Sequence, residues 1–151
     1  MTDVIVRSMD PAELDAVAEL WWHSLNDSTS WLRPDQKHNK VDSQNFFRKV
    51  VAQRCELWVA DRDGTLVGVL ALQGDELDRL YIATEAQGQG VGSALLAHAK
   101  ALSPDGLMLV TLERNTQARR FYEHHGFEAY AVGRSPAPED EPDIWYRWPP
   151  Q

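Results

Sequence analysis

Apolar and polar positions alternate along this chain in short blocks, and the period of each block predicts its element. Val4 to Val6 is a brief β-branched run. Asp10-Pro11-Ala12-Glu13 then places an N-cap, a first-turn proline and a capping-box glutamate in the order that opens a helix. Leu14, Val17 and Trp21 recur at helical spacing, whereas Asn26 to Pro34, rich in Ser, Asn, Asp and Thr, predicts a loop. A second helix is predicted over Val41 to Gln53. Leu57 to Ala60 and Leu66 to Leu72 read as strands around the turn signal Asp61-Arg62-Asp63-Gly64, and Gly74-Asp75 turns the chain into a further strand, Glu76 to Ala83.

In the second half, Val91, Leu95, Ala99 and Leu102 form an i, i+4, i+8, i+11 stripe, the mark of an amphipathic helix. Ser103 to Gly106 breaks it and Leu107 to Leu112 is an apolar strand. Asn115 is placed to cap a helix that Gly126 stops. Phe127 to Val132 returns as a strand, Arg134 to Pro142 is a proline-rich acidic loop, and Ile144 to Trp148 is the last strand. The order β-α-α-β-β-β-α-β-α-β-β mixes hairpins with crossovers. It predicts an α/β fold of the α+β type: a mixed, mostly antiparallel twisted sheet with helices on both faces. At 151 residues, the chain is expected to form one domain, 1–151.

Composition narrows the function classes. A formal net charge of -8 disfavours a grip on nucleic-acid phosphates, so no nucleic-acid partner is expected. Met1 to Ser8 lacks a basic region followed by an apolar run, and no stretch approaches the roughly 20 apolar residues of a membrane span. No membrane partner is expected. The single cysteine, Cys55, has no internal partner, and no Cys/His cluster has zinc-like spacing, so a reducing, cytoplasmic setting and no metal are expected.

The most informative block is Gln87-Gly88-Gln89-Gly90-Val91-Gly92, between a strand and a helix. Amides with little Cβ crowding at a helix N-terminus form a nest for a phosphate or pyrophosphate. A P-loop would need Gly-Lys-Ser/Thr, which is absent, and a dinucleotide fingerprint would need glycine where Ser93 stands. Gln87-x-x-Gly90-x-Gly92 after Leu80-Tyr81-Ile82, followed by Asn115 and then Phe121-Tyr122-Glu123-His124-His125-Gly126-Phe127, resembles the GNAT N-acetyltransferase superfamily. The resemblance spans roughly Glu76 to Val132. It implies that acetyl-CoA is the co-substrate. Its pyrophosphate would rest on amides of Gln87, Gly88, Gln89, Gly90, Val91 and Gly92, and its pantetheine arm would run along backbone groups of Leu80, Tyr81 and Ile82. Asn115 would contact that arm, and an amide at or near Ile82 would face the developing oxyanion.

Attack of an amine on a thioester needs a neutral amine, stabilisation of the developing oxyanion and a proton for the departing sulfur. The resemblance places Tyr122 as general acid and Glu76 as the base used by some members, others using no single base. Alternation along the strand puts Glu76 and Asp78 on the face of Leu80 and Ile82, where a carboxylate could take the amine proton through water. Cys55, without a partner base, is expected to be packing rather than nucleophile, so transfer should be direct in a ternary complex. The acceptor pocket implied by the resemblance draws on Trp21, Trp22, Trp31 and the acidic Glu139 to Asp143, walls suited to a cation. The acceptor is thus a small-molecule or peptide amine. A homodimer is compatible with the fold. A CoA-sensing module that has lost transfer is the alternative reading.

Overall fold

The computed structural model describes residues 3–150. Met1, Thr2 and Gln151, which the single-domain reading includes, lie outside the described residues. Seven strands form one sheet: β1 (Ile5–Ser8), β2 (Glu56–Arg62), β3 (Thr65–Gln73), β4 (Glu76–Ile82), β5 (Leu107–Leu112), β6 (Glu128–Arg134) and β7 (Pro142–Trp148), in the spatial order β1-β2-β3-β4-β5-β7-β6. All neighbours are antiparallel except β4 and β5, which are parallel. The predicted sheet type and element order are therefore observed.

The helices are α1 (Leu14–Ser28), α2 (Lys40–Phe46, continuing through a π turn Phe47–Val51 into Ala52–Arg54), α3 (Val91–Leu102) and α4 (Thr116–His124). The entry to α1 follows the sequence closely. Asp10 accepts from the Ala12 amide, Glu13 reaches back to the Asp10 amide, and the intervening Pro11–Glu13 forms a 3-10 turn. Its exit does not. The segment predicted as a loop from Asn26 is helical through Ser28, because Ser28 and Thr29 hydroxyls donate to the Leu25 carbonyl at 3.1 and 2.7 Å and satisfy the helix end.

Two hydrophobic layers sandwich the sheet. Val17, Ala18 and Trp21 of α1 and Phe47 and Val51 of α2 pack with Val59, Val69 and Ala71 on one face. Trp21 anchors this layer, with its ring 4.9 Å from Phe47 and 5.1 Å from Tyr81; truncating such a residue typically costs about 3 to 5 kcal/mol. Val91, Leu95, Leu96 and Ala99 of α3 and Tyr122 of α4 cover the other face with Leu70, Leu72, Leu109 and Tyr146. Gly68 lets α3 approach, since a Cβ there would stand 2.8 Å from a Leu95 methyl. The β2–β3 hairpin turns at Asp63 and Gly64, both with positive φ as its two-residue turn requires.

Candidate active site

β4 and β5 touch at one end only. Their single register pair is Glu76 with Met108, supported by the Met108 amide donating to the Asp75 carbonyl at 2.9 Å. Beyond it the strands separate, and a cleft of about 600 Å³ opens with Asp78 to Tyr81 on one wall and Leu109 to Leu112 on the other. A parallel strand pair that stops pairing leaves backbone donors and acceptors without a neighbour, and these suit an extended ligand lying as an added strand. Leu80 and Tyr81, two of the three residues expected along such an arm, line this cleft. Ile82 lies at the strand's end, where its carbonyl accepts from Ser24 Oγ (3.2 Å) and from Gln87 Nε2 (3.4 Å).

The glycine block follows directly. A 3-10 turn, Thr84–Ala86, leads into exposed Gln87 to Gly90, and Gly90 is the N-cap of α3. Gly88 and Gly90 have φ of +75° and +85°, and a Cβ on either would meet no atom within 4 Å. Their glycines serve backbone shape and open space. Gly92 serves otherwise: a Cβ there would stand 3.2 Å from the Phe121 ring, so this glycine sets the approach of α4 to α3. Gln87, expected to open the nest, instead donates its amide to the Thr84 carbonyl at 3.3 Å, whereas no amide from Gly88 to Ser93 donates to another group among the described residues. The run thus starts one residue later than expected and extends to Ser93; the first helical bond at this end is Ala94 N to Gly90 O at 3.0 Å. Six consecutive free amides at a helix N-terminus fit a diphosphate. Gln89 is held by Arg62 and by the Glu85 carbonyl, which braces the loop.

Tyr122 is 7% exposed and lines the cleft, its ring set edge-on to Phe121 and Phe127. Its hydroxyl has no hydrogen-bond partner among the described residues. Burial, with Tyr81 adding to it and Arg79 opposing, pushes the phenol above its ordinary value, so it stays protonated as a donor. Asn115 caps α4 by accepting from the Ala118 amide at 3.2 Å and also lines the cleft. Both expected roles are compatible, because capping uses its oxygen and leaves the amide nitrogen.

The placement of the two strand carboxylates differs from the alternation argument. Leu72 pairs with Leu77 and Ala71 with Arg79, so Asp78 is a bulge residue without a partner on β3. The extra residue inverts the parity: Leu77, Leu80 and Ile82 share the face under α3 and α4, while Tyr81 packs under α1 and α2. Glu76 therefore does not share the face of Leu80 and Ile82, and it does not line the cleft; Asp78 does line it. Cys55 packs with the α1–α2 layer, and burial followed by Asp78 and Glu76 pushes its thiol up to about 11, a poor nucleophile at neutral pH.

The acceptor walls are partly as expected. Trp21, Trp22, Glu139 and Asp143 line the cleft. Trp31 does not: its ring stacks under the Arg114 guanidinium at 4.6 Å and its indole nitrogen donates to the Ser28 carbonyl at 3.1 Å. A tie between distant loops closes this side. Buried Gln36 donates to the Glu139 carbonyl and to Glu141 Oε2, both at 2.8 Å, and His38 bonds Glu139. Arg79 also lines the cleft, donating to the Asp78 carbonyl at 2.7 Å and facing Tyr81, Asp78 and Glu139. Arg79 was not among the expected site residues, although an arginine in the middle of an apolar strand is itself a sequence signal of a buried partner. No group of three or more His, Cys, Asp or Glu side chains suited to a metal occurs among the described residues.

The model of the acetyltransferase (GNAT) domain matches residues 53–129. The chain is 31% identical over 125 residues to the peptidyl-lysine N-acetyltransferase YiaC of Escherichia coli, covering 82% of each chain. The solution structure of apo-form YjaB from Escherichia coli superposes with a TM-score of 0.80 at 24% identity, over 96% of this chain and 97% of that one. The PaiA N-acetyltransferase of Thermoplasma acidophilum, solved in complex with coenzyme A, gives a TM-score of 0.71 at 19% identity, over 96% and 98% of the two chains.

Proposed function

The chain belongs to the GNAT acetyltransferase family as an acetyl-CoA-dependent N-acetyltransferase, and from that premise we propose that it acetylates a primary amine of the lysine class by direct attack in a ternary complex. The observation that carries the reading is the run of unpaired amides, Gly88 to Ser93, at the head of the helix that follows β4, together with a cleft beside β4 that Tyr122 lines. The lysine class rests on the names of the relatives YiaC and YjaB, both peptidyl-lysine N-acetyltransferases.

In this reading the amides of Gly88 to Ser93 hold the diphosphate, and the free edge of β4 orients the thioester arm. The amine nitrogen forms a bond to the acetyl carbon, the carbon–sulfur bond breaks, and the phenol of Tyr122 gives its proton to the sulfur. The amine proton leaves to solvent or to a carboxylate of the cleft; of the two strand carboxylates, Asp78 lines the cleft and Glu76 does not, which supports Asp78 for that role. A lysine-type ammonium has an ordinary pKa of about 10.4, so turnover should rise with pH through the neutral range as the neutral amine is populated. Cys55 takes no part.

The test is release of free CoA thiol from acetyl-CoA across a panel of lysine peptides and small amines, with Cys55→Ala alongside the unaltered protein. Turnover retained in the Cys55→Ala variant supports direct transfer; acetyl-CoA binding without turnover on any amine would favour the sensing module instead.

A further inference from the structure

Asp143 is the second residue of β7, opposite Leu112 of β5 and Gly133 of β6. It is 8% exposed, lines the cleft, and makes no hydrogen bond or ion pair among the described residues; its Oδ1 is fully enclosed with no donor. A buried carboxylate without a partner is costly, and burial accordingly pushes its pKa up. The chain's own cations do not neutralise it. Lys37 and Arg79 line the same cleft, yet Arg79 is bonded to the Asp78 carbonyl and neither donates to Asp143. Glu139, another carboxylate of the cleft wall, is already bonded to His38.

The backbone makes room for this carboxylate. A Cβ on Gly133 would stand 2.8 Å from Asp143 Oδ1 and 3.5 Å from the indole nitrogen of Trp145. Gly133 has no positive φ that would require glycine, so its missing side chain serves the close approach of Asp143. Trp22 contributes an aromatic wall to the cleft, and an aromatic wall with an uncompensated anion is a recognition site for an ammonium.

We propose that Asp143 is the acceptor-recognition residue, pairing with the positively charged ammonium of the incoming amine and giving the enzyme its preference for cationic acceptors. This rests on the acetyltransferase reading above. Asp143 here selects and positions the acceptor; the sulfur is protonated elsewhere, by Tyr122.

The experiment is calorimetric titration of a capped Gly-Lys-Gly peptide and its norleucine counterpart into CoA-loaded and CoA-free protein, for the unaltered chain and for Asp143→Asn. In the unaltered chain, the lysine peptide should bind about 10-fold or more tightly than the norleucine peptide. Asp143→Asn should abolish that preference, keep CoA affinity within about 2-fold, and leave the melting temperature equal or higher, because an unpaired buried charge has been removed. Equal lysine affinity in the two proteins, no lysine preference in the unaltered chain, or lost peptide binding with a lowered melting temperature would each overturn the proposal. Failure of CoA binding alone would strike the acetyltransferase reading, while the CoA-free titration would still report on Asp143.

Discussion

Glu76 and Met108 form the one register pair between β4 and β5, and the cleft exists because the pairing ends there. A sheet closed at that seam would offer no free strand edge to a thioester arm. The bulge at Asp78 falls just beyond that pair, where the cleft wall begins, and a bulge disrupts the ladder and increases the local twist of its strand. From the open end, the chain leads directly into the turn and the free amides at the head of α3.

Gly90→Ala is expected to act on the co-substrate. A Cβ at φ +85° costs about 1 kcal/mol in backbone strain and occupies space beside the free amides. Steady-state kinetics should show KM for acetyl-CoA raised about 10-fold or more, with a smaller change in kcat. An unchanged KM would mean that the loop does not hold the diphosphate.

Tyr122→Phe removes a hydroxyl that no protein group engages. Stability should be unchanged or slightly higher, measured by thermal melting. The kcat should fall about 100-fold, the scale of a lost general acid, with KM for acetyl-CoA within about 2-fold. Full turnover in this variant would reject Tyr122 as the proton donor.

The legibility of this chain has a clear boundary. Gly88 and Gly90 were legible because their positive φ favours glycine, and the cap at Asp10 and the turn at Asp63-Gly64 follow from chemistry within a few residues. Gly92 answered to a different demand, contact with Phe121 29 positions away in the chain. The face of Glu76 was not legible, because strict alternation cannot anticipate a bulge that depends on pairing with β3. Trp31 escaped for the same reason: its partner Arg114 is brought near only by the tertiary fold. Gln36, which joins the α1–α2 connection to the loop before β7, carries no local mark of its role.

Acid should expose the tie at the N-terminal strand. Arg7 makes two hydrogen bonds to Glu13, at 2.9 and 2.7 Å, and a further pair to Asp61. The Arg7 hydrogen bonds, followed by the Asp10 amide, lower the Glu13 carboxyl from 4.5 to about 2. A depressed carboxylate contributes stability that is fully present above 4.5 and is lost as pH falls from there through about 2. Glu13→Gln should therefore be less stable than the unaltered chain at neutral pH, by on the order of 1 kcal/mol. Denaturant unfolding should show that difference shrinking as the pH falls through this window; a constant difference would contradict the pairing.

The most direct measurement is a CoA titration of nitrogen-15-labelled protein followed by amide chemical shifts. Saturable shifts concentrated at Gly88 to Ser93, with further changes along Leu80 to Ile82, are expected if these amides hold the diphosphate. Shifts confined to other parts of the sheet, or amides from 88 to 93 unmoved at saturation, would contradict that assignment.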